Sequence, residues 1–127
     1  MTKQGTVVWS ELMTTEVEKA KAFYETTLGV TFQGFDPTGQ GTYWVAMTGK
    51  DAGWGIMDMS KRPGGPTGWF TYIAVDDVDA RVAAATAAGG KLLMPAFDIP
   101  MVGRIAVLQD PTGAVISLMK PADRPPA

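Results

Sequence analysis

Apolar and polar positions fall in a pattern that is written twice along the chain. Val7-Val8-Trp9-Ser10-Glu11-Leu12 alternates loosely and predicts a strand. Thr15-Glu16-Val17-Glu18 then places a Glu three residues after a Thr. That is a capping box, whose side chains satisfy the free N–H groups opening a helix. Val17, Ala20, Phe23, Tyr24 and Leu28 recur at helical spacing, and Gly29 supplies a left-handed C-terminal cap. Strands are predicted at Val30–Phe35, Thr42–Thr48 and Gly53–Met59, with turns at Asp36-Pro37-Thr38-Gly39 and Gly49-Lys50-Asp51.

The second half repeats the order. Trp69–Val75 reads as a strand, and Asp76-Asp77-Val78-Asp79 opens a helix with an Asp at the cap. An alanine-rich helix runs to Ala88 and ends at Gly89-Gly90. Strands follow at Lys91–Met94, Arg104–Gln109 and Val115–Met119, with the turn Asp110-Pro111-Thr112-Gly113 before the last. An offset of 61 residues carries Val17 to Val78, Gly29 to Gly90, Trp9 to Phe70 and Glu11 to Tyr72. A shared order of capped helix, Gly terminus and three strands at one offset is an internal repeat. Residues 61–68, rich in Pro and Gly, form the connector, and the tail Pro121–Ala127 reads as loose.

The expected architecture is therefore α+β. Two tandem β-α-β-β-β modules, about 6–60 and about 69–120, form a cup-shaped, mostly antiparallel sheet. A chain of 127 residues, 46% hydrophobic, suits one domain. It has no apolar run of about 18 residues to span a membrane, and its first residues lack a signal peptide's apolar stretch. The cytoplasm is the default location.

Composition narrows the chemistry. Cysteine and histidine are both absent. Disulfides, thiol nucleophiles and Ser-His or Cys-His arrangements are thereby excluded, and any metal site would be all oxygen. Net charge is −2, and Lys and Arg are scattered, so no basic stripe marks a nucleic-acid surface. Gly64-Gly65 and Gly89-Gly90 lack the framework of a phosphate loop.

Several stretches resemble the vicinal oxygen chelate superfamily, the glyoxalase, bleomycin-resistance and dioxygenase proteins. They are Val17–Tyr24 with Leu28-Gly29, then Val75–Ala80, and most specifically Gly103–Gly113. The resemblance is to a glyoxalase-like branch and covers almost the whole chain. It implies metal ligands on the first and last strands of each module. Those places fall on Trp9 and Phe70, on Ser117, and near Gly55–Met57. Such residues form no oxygen or nitrogen cage, so the metal chemistry is expected to be lost and no cofactor is expected. The resemblance also implies a homodimer.

Alternation along the strands places Trp9, Glu11 and Met13 on one face, and Phe70, Tyr72 and Ala74 on the matching face. The expected ligand-binding set is Trp9, Glu11, Met13, Trp44, Met47, Trp54, Met57, Phe70, Tyr72, Arg104 and Ser117. Rigid aromatics and adaptable thioethers suit a flat, apolar ligand, although such residues also fill cores. Glu11, if desolvated, is a candidate acid or base, with Tyr72 as its partner. Arg104 would pair with an acidic ligand by its planar fork, or serve its turn structurally. Three readings follow: a metal-independent small-molecule binder, a metal-free isomerase-, cyclase- or dehydratase-type enzyme, and an interaction module with a vestigial cavity. A register error would return a metal-dependent enzyme.

Overall fold

A computed structural model describes residues 3–36, 39, 41–100 and 102–122. Pro37 and Thr38 of the first expected turn, and the end of the tail, lie outside them. The described elements are β1 (Val7–Thr14), α1 (Val17–Leu28), β2 (Thr31–Phe35), β3 (Tyr43–Thr48) and β4 (Asp51–Asp58). They continue with β5 (Gly68–Ala74), α2 (Val78–Ala87), β6 (Lys91–Ile99), β7 (Gly103–Gln109) and β8 (Val115–Pro121). The repeat is now physical, because both helices begin on the valines that the 61-residue offset pairs.

The chain divides into two compact units. One is Trp9–Phe70, and the other joins Met1–Val8 to Thr71–Ala127. The N-terminal residues join the second because the Gly5 N–H donates to Ala74 O and the Ala74 N–H donates to Thr6 O, each at 2.8 Å.

In the Trp9–Phe70 unit the strands lie in the order β2-β3-β4-β1. β2, β3 and β4 run antiparallel, and β1 closes the sheet parallel to β4 with Glu11 opposite Gly55 and Met13 opposite Met57. A parallel pair needs a long crossover, which α1 and the two hairpins supply. The left-handed Gly29 cap forms as expected, at φ 70 with its N–H on Glu25 O. The capping box does not. Glu16 is the N-cap without a side-chain bond, and the Thr14 hydroxyl accepts the Glu16 N–H instead. The helix cap falls on Glu16, one residue past Thr15, so the Thr15–Glu18 spacing is out of step with it. Phe23 and Leu28 of the expected apolar stripe are outward and exposed.

The second unit repeats the layout in the order β5-β8-β7-β6, with β5 parallel to β8 and the other pairs antiparallel. Asp77 caps α2, accepting the Ala80 N–H at 3.0 Å. The core under α2 joins Val75, Val78, Ala106, Leu108 and Leu118. Each Val or Leu side chain among them stabilises by about 1.5–3 kcal/mol when fully buried. Asp110 holds the final turn by accepting the N–H groups of Thr112 and Ala114 and the Thr112 hydroxyl. β6 runs on to Ile99, past the expected end at Met94. Pro95 sits inside a register shift on this edge strand, where a missing N–H breaks no ladder bond.

Candidate functional site

Each sheet has one face under a helix and one face free of it, and the register decides which side chains go where. In the Trp9–Phe70 unit, Trp44, Ile56 and Leu12 share the α1 side, because Trp44 pairs with Ile56 and Ile56 with Leu12. Glu11, Gly55 and Val45 therefore form a row on the helix-free side, with Trp9, Met13, Tyr43 and Met57 around it. Glu11 is only 2% exposed and Met13 is fully buried.

A polar chain runs through this apolar face. Trp9 Nε1–H donates to Tyr43 Oη at 2.9 Å. The Tyr43 hydroxyl in turn hydrogen-bonds the Glu11 carboxylate. Burial, and then the Glu11 charge, push the Tyr43 hydroxyl far above the ordinary tyrosine value, so it stays protonated and acts as a donor. Gly55 is what lets it in. A Cβ at position 55 would collide with the Tyr43 hydroxyl and ring. Sequence reasoning missed Tyr43, and the signal it lacked was the side-chain-free residue across the hairpin from it. A phenol that hydrogen-bonds Glu11 is thus Tyr43 of β3.

In that other unit Tyr72 pairs with Ser117 across the parallel β5–β8 ladder, and Val107 pairs with Ser117 from β7. Leu118, Ala106 and Leu108 pack with α2, which leaves Tyr72, Ser117, Val107 and Ile105 on the helix-free side. Ser117 is 0% exposed, and its hydroxyl has no hydrogen-bond partner among the described residues.

Three expected ligand residues go elsewhere. Lys21 Nζ stacks 3.3 Å from the centre of the Trp44 ring, so Trp44 faces α1. Trp54 packs edge-to-face against Tyr24, Phe32 and Trp69 on the same side. One register runs from Trp44–Ile56 to Ala46–Trp54, so Trp54 lies on the same face of β4 as Ile56, two residues on. Arg104 lies under α2, its guanidinium on Asp79 at 2.9 and 3.0 Å and on Asp98 at 3.2 Å. Those carboxylates hold it where a ligand acid would have to bind. Met47 and Met57 alternate onto the helix-free side, as does Phe70, whose neighbour Trp69 turns towards α1. An open cleft of about 540 Å³ lies at the start of α1, between Glu16, Lys19, Thr42, Trp44 and Asp58. Its charged lining differs from the apolar surface expected for the ligand.

The residues present do not fit a metal. The last-strand place in the first module resolves to Gly55, opposite Glu11 as Ser117 is opposite Tyr72. With Trp9, Phe70 and Ser117 the set offers one hydroxyl. Among the described residues no group of three or more acidic, His or Cys side chains is placed to hold an ion. Nor is any helix among them long and apolar enough to cross a membrane.

Several known proteins resemble this chain in sequence or in fold. "Putative glyoxylase CFP32" of Mycobacterium tuberculosis is 44% identical over 118 residues, covering 93% of this chain and 45% of the relative. The anthracycline biosynthesis protein DauV of Streptomyces sp. (strain C5) is 34% identical over 131 residues, covering 97% and 44%. The chain thus spans about half the length of the curated relatives it matches. The crystal structure of methylmalonyl-CoA epimerase from Mycobacterium tuberculosis superimposes with a TM-score of 0.62 at 19% identity, over 97% of this chain and 94% of the other. Residues 6–118 match the family model directly, and the chain belongs to the glyoxalase/bleomycin resistance protein/dioxygenase superfamily.

Proposed function

We propose that the chain binds a small, mostly apolar or aromatic molecule without a metal, on the helix-free faces of its sheets. The observation that carries this reading is the chemistry of the four ligand places. Trp9, Gly55, Phe70 and Ser117 replace a donor set with apolar surface, a covered backbone and one hydroxyl. Trp9, Met13 and Met57 offer flat and adaptable apolar contact beside that row. The relatives named for anthracycline biosynthesis support an aromatic ligand, since anthracyclines are flat fused-ring molecules.

Bound ligand adds stability by mass action, so a screen of flat aromatic compounds against melting temperature tests the reading. The expected result is a shift of several degrees by at least one aromatic class, unchanged by EDTA. A shift that EDTA abolishes, or a screen with no hit, would defeat it.

A second reading has its own support, a buried carboxylate held by a neutral tyrosine. Glu11 would then act as acid or base in a metal-free isomerisation or elimination. Glu11→Gln separates the two: an enzyme loses turnover while keeping its ligand, whereas a binder keeps its ligand and has no turnover to lose.

A further inference from the structure

The two modules have parted company at one equivalent place. In the Trp9–Phe70 unit, the residue opposite Glu11 is Gly55, and the gap is filled by a hydroxyl that both accepts from Trp9 and donates to Glu11. That position is closed and its polar atoms are satisfied. In the other unit, the residue opposite Tyr72 is Ser117, whose fully shielded hydroxyl makes no hydrogen bond among the described residues. Buried hydroxyls almost always find a partner, so an orphan marks a strain or a missing guest.

We infer that Ser117 is the hydrogen-bonding contact for the small molecule proposed above, and that this molecule presents a neutral oxygen acceptor there, a ring carbonyl or ketone. The inference rests on that reading of the site. The donor is the need left unmet, because a lone pair without a partner costs less than a hydroxyl hydrogen without one. Neutrality follows from the surroundings. Ser117 is bordered in the ladder by Tyr72 and Val107, with Ile105 and Met119 next along, and none of these carries a charge. An ionised ligand group would lose its hydration there with no opposite charge to replace it. Met119 can turn aside to admit a flat ring, since its unbranched thioether has several rotamers of similar energy.

The test uses two probes of matched shape, 1-acetonaphthone and 1-ethylnaphthalene, titrated against tryptophan fluorescence. Wild type should prefer the ketone by about fivefold, the worth of one neutral hydrogen bond. Ser117→Ala and the near-isosteric Ser117→Cys should bring the two affinities within about twofold of each other, leaving the hydrocarbon's own affinity in place. Both variants should melt at or above the wild-type temperature, because neither retains the orphan hydroxyl. A ketone preference that survives in Ser117→Ala and Ser117→Cys overturns the assignment of Ser117 while leaving the small-molecule reading intact. Equal affinities in wild type do the same. Failure of wild type to bind either probe overturns both.

Discussion

Tyr43 places its hydroxyl where a side chain on Gly55 would begin. The two residues sit on neighbouring strands, and the absence of one side chain is the condition for the reach of the other. That exchange of space lets Trp9, Tyr43 and Glu11 form a closed, hydrogen-bonded knot beside Gly55.

Gly55→Ala should therefore destabilise by overpacking, about 1–3 kcal/mol in urea unfolding. The backbone at Gly55 is extended within β4, so the cost comes from the collision and not from its dihedral angles. In a Tyr43→Ala background the same change should cost almost nothing further, and a double-mutant cycle reads the coupling. Additive effects would mean that the two residues do not compete for this space.

Tyr43 should also leave a mark on alkaline stability. Its folded value is raised above the ordinary 10.0, so the folded chain keeps a proton that the unfolded chain has lost. The contribution is complete below about pH 10 and is lost as pH rises beyond it, at about 1.4 kcal/mol per pH unit. Wild type minus Tyr43→Phe should show that slope above pH 10 and none below it. Phenolate absorbance should leave Tyr43 untitrated until the chain unfolds.

The aromatic cluster under α1 should behave as core and not as a ligand wall. Trp54→Ala removes edge-to-face contacts with Tyr24, Phe32 and Trp69 and should cost about 2–4 kcal/mol. Affinity for an aromatic probe, measured on the fraction that remains folded, should stay within about twofold, since the ring faces away from the helix-free side. A large loss of affinity at unchanged stability would reverse this assignment.

Arg104→Gln should leave ligand affinity alone and lower the melting temperature slightly, with the difference shrinking in high salt. The guanidinium holds the Asp79 carboxyl below the usual carboxylate range. The pair therefore helps above that range and stops helping as pH falls and Asp79 protonates. A difference between wild type and variant that persisted at high salt and low pH would require another role for the arginine.

Much of the fold was legible because it rests on local rules. Gly29 and Asp77 act where the chain must end or begin a helix, and the Asp110 turn uses its own side chain. The 61-residue offset needed only comparison of the chain with itself, and both helices begin on it. Alternation put Trp9, Glu11 and Met13 on one face of β1, because that count runs along a single strand. The errors arose where one element had to be set against another. Trp44 and Trp54 were expected on the cavity side, yet one register from Trp44–Ile56 to Ala46–Trp54 puts both on a single face. It is the packing of Lys21 and Tyr24 that makes this the α1 face. Arg104 found its partners 25 and 6 residues away, on α2 and β6. Tyr43 met Glu11 across two strands because Gly55 offered no side chain. By itself, then, the sequence determined the elements and their repetition. The tertiary structure alone decided which side chains share a face and which buried hydroxyl is left without a partner, since both depend on register between strands and on the space each residue leaves for its neighbours.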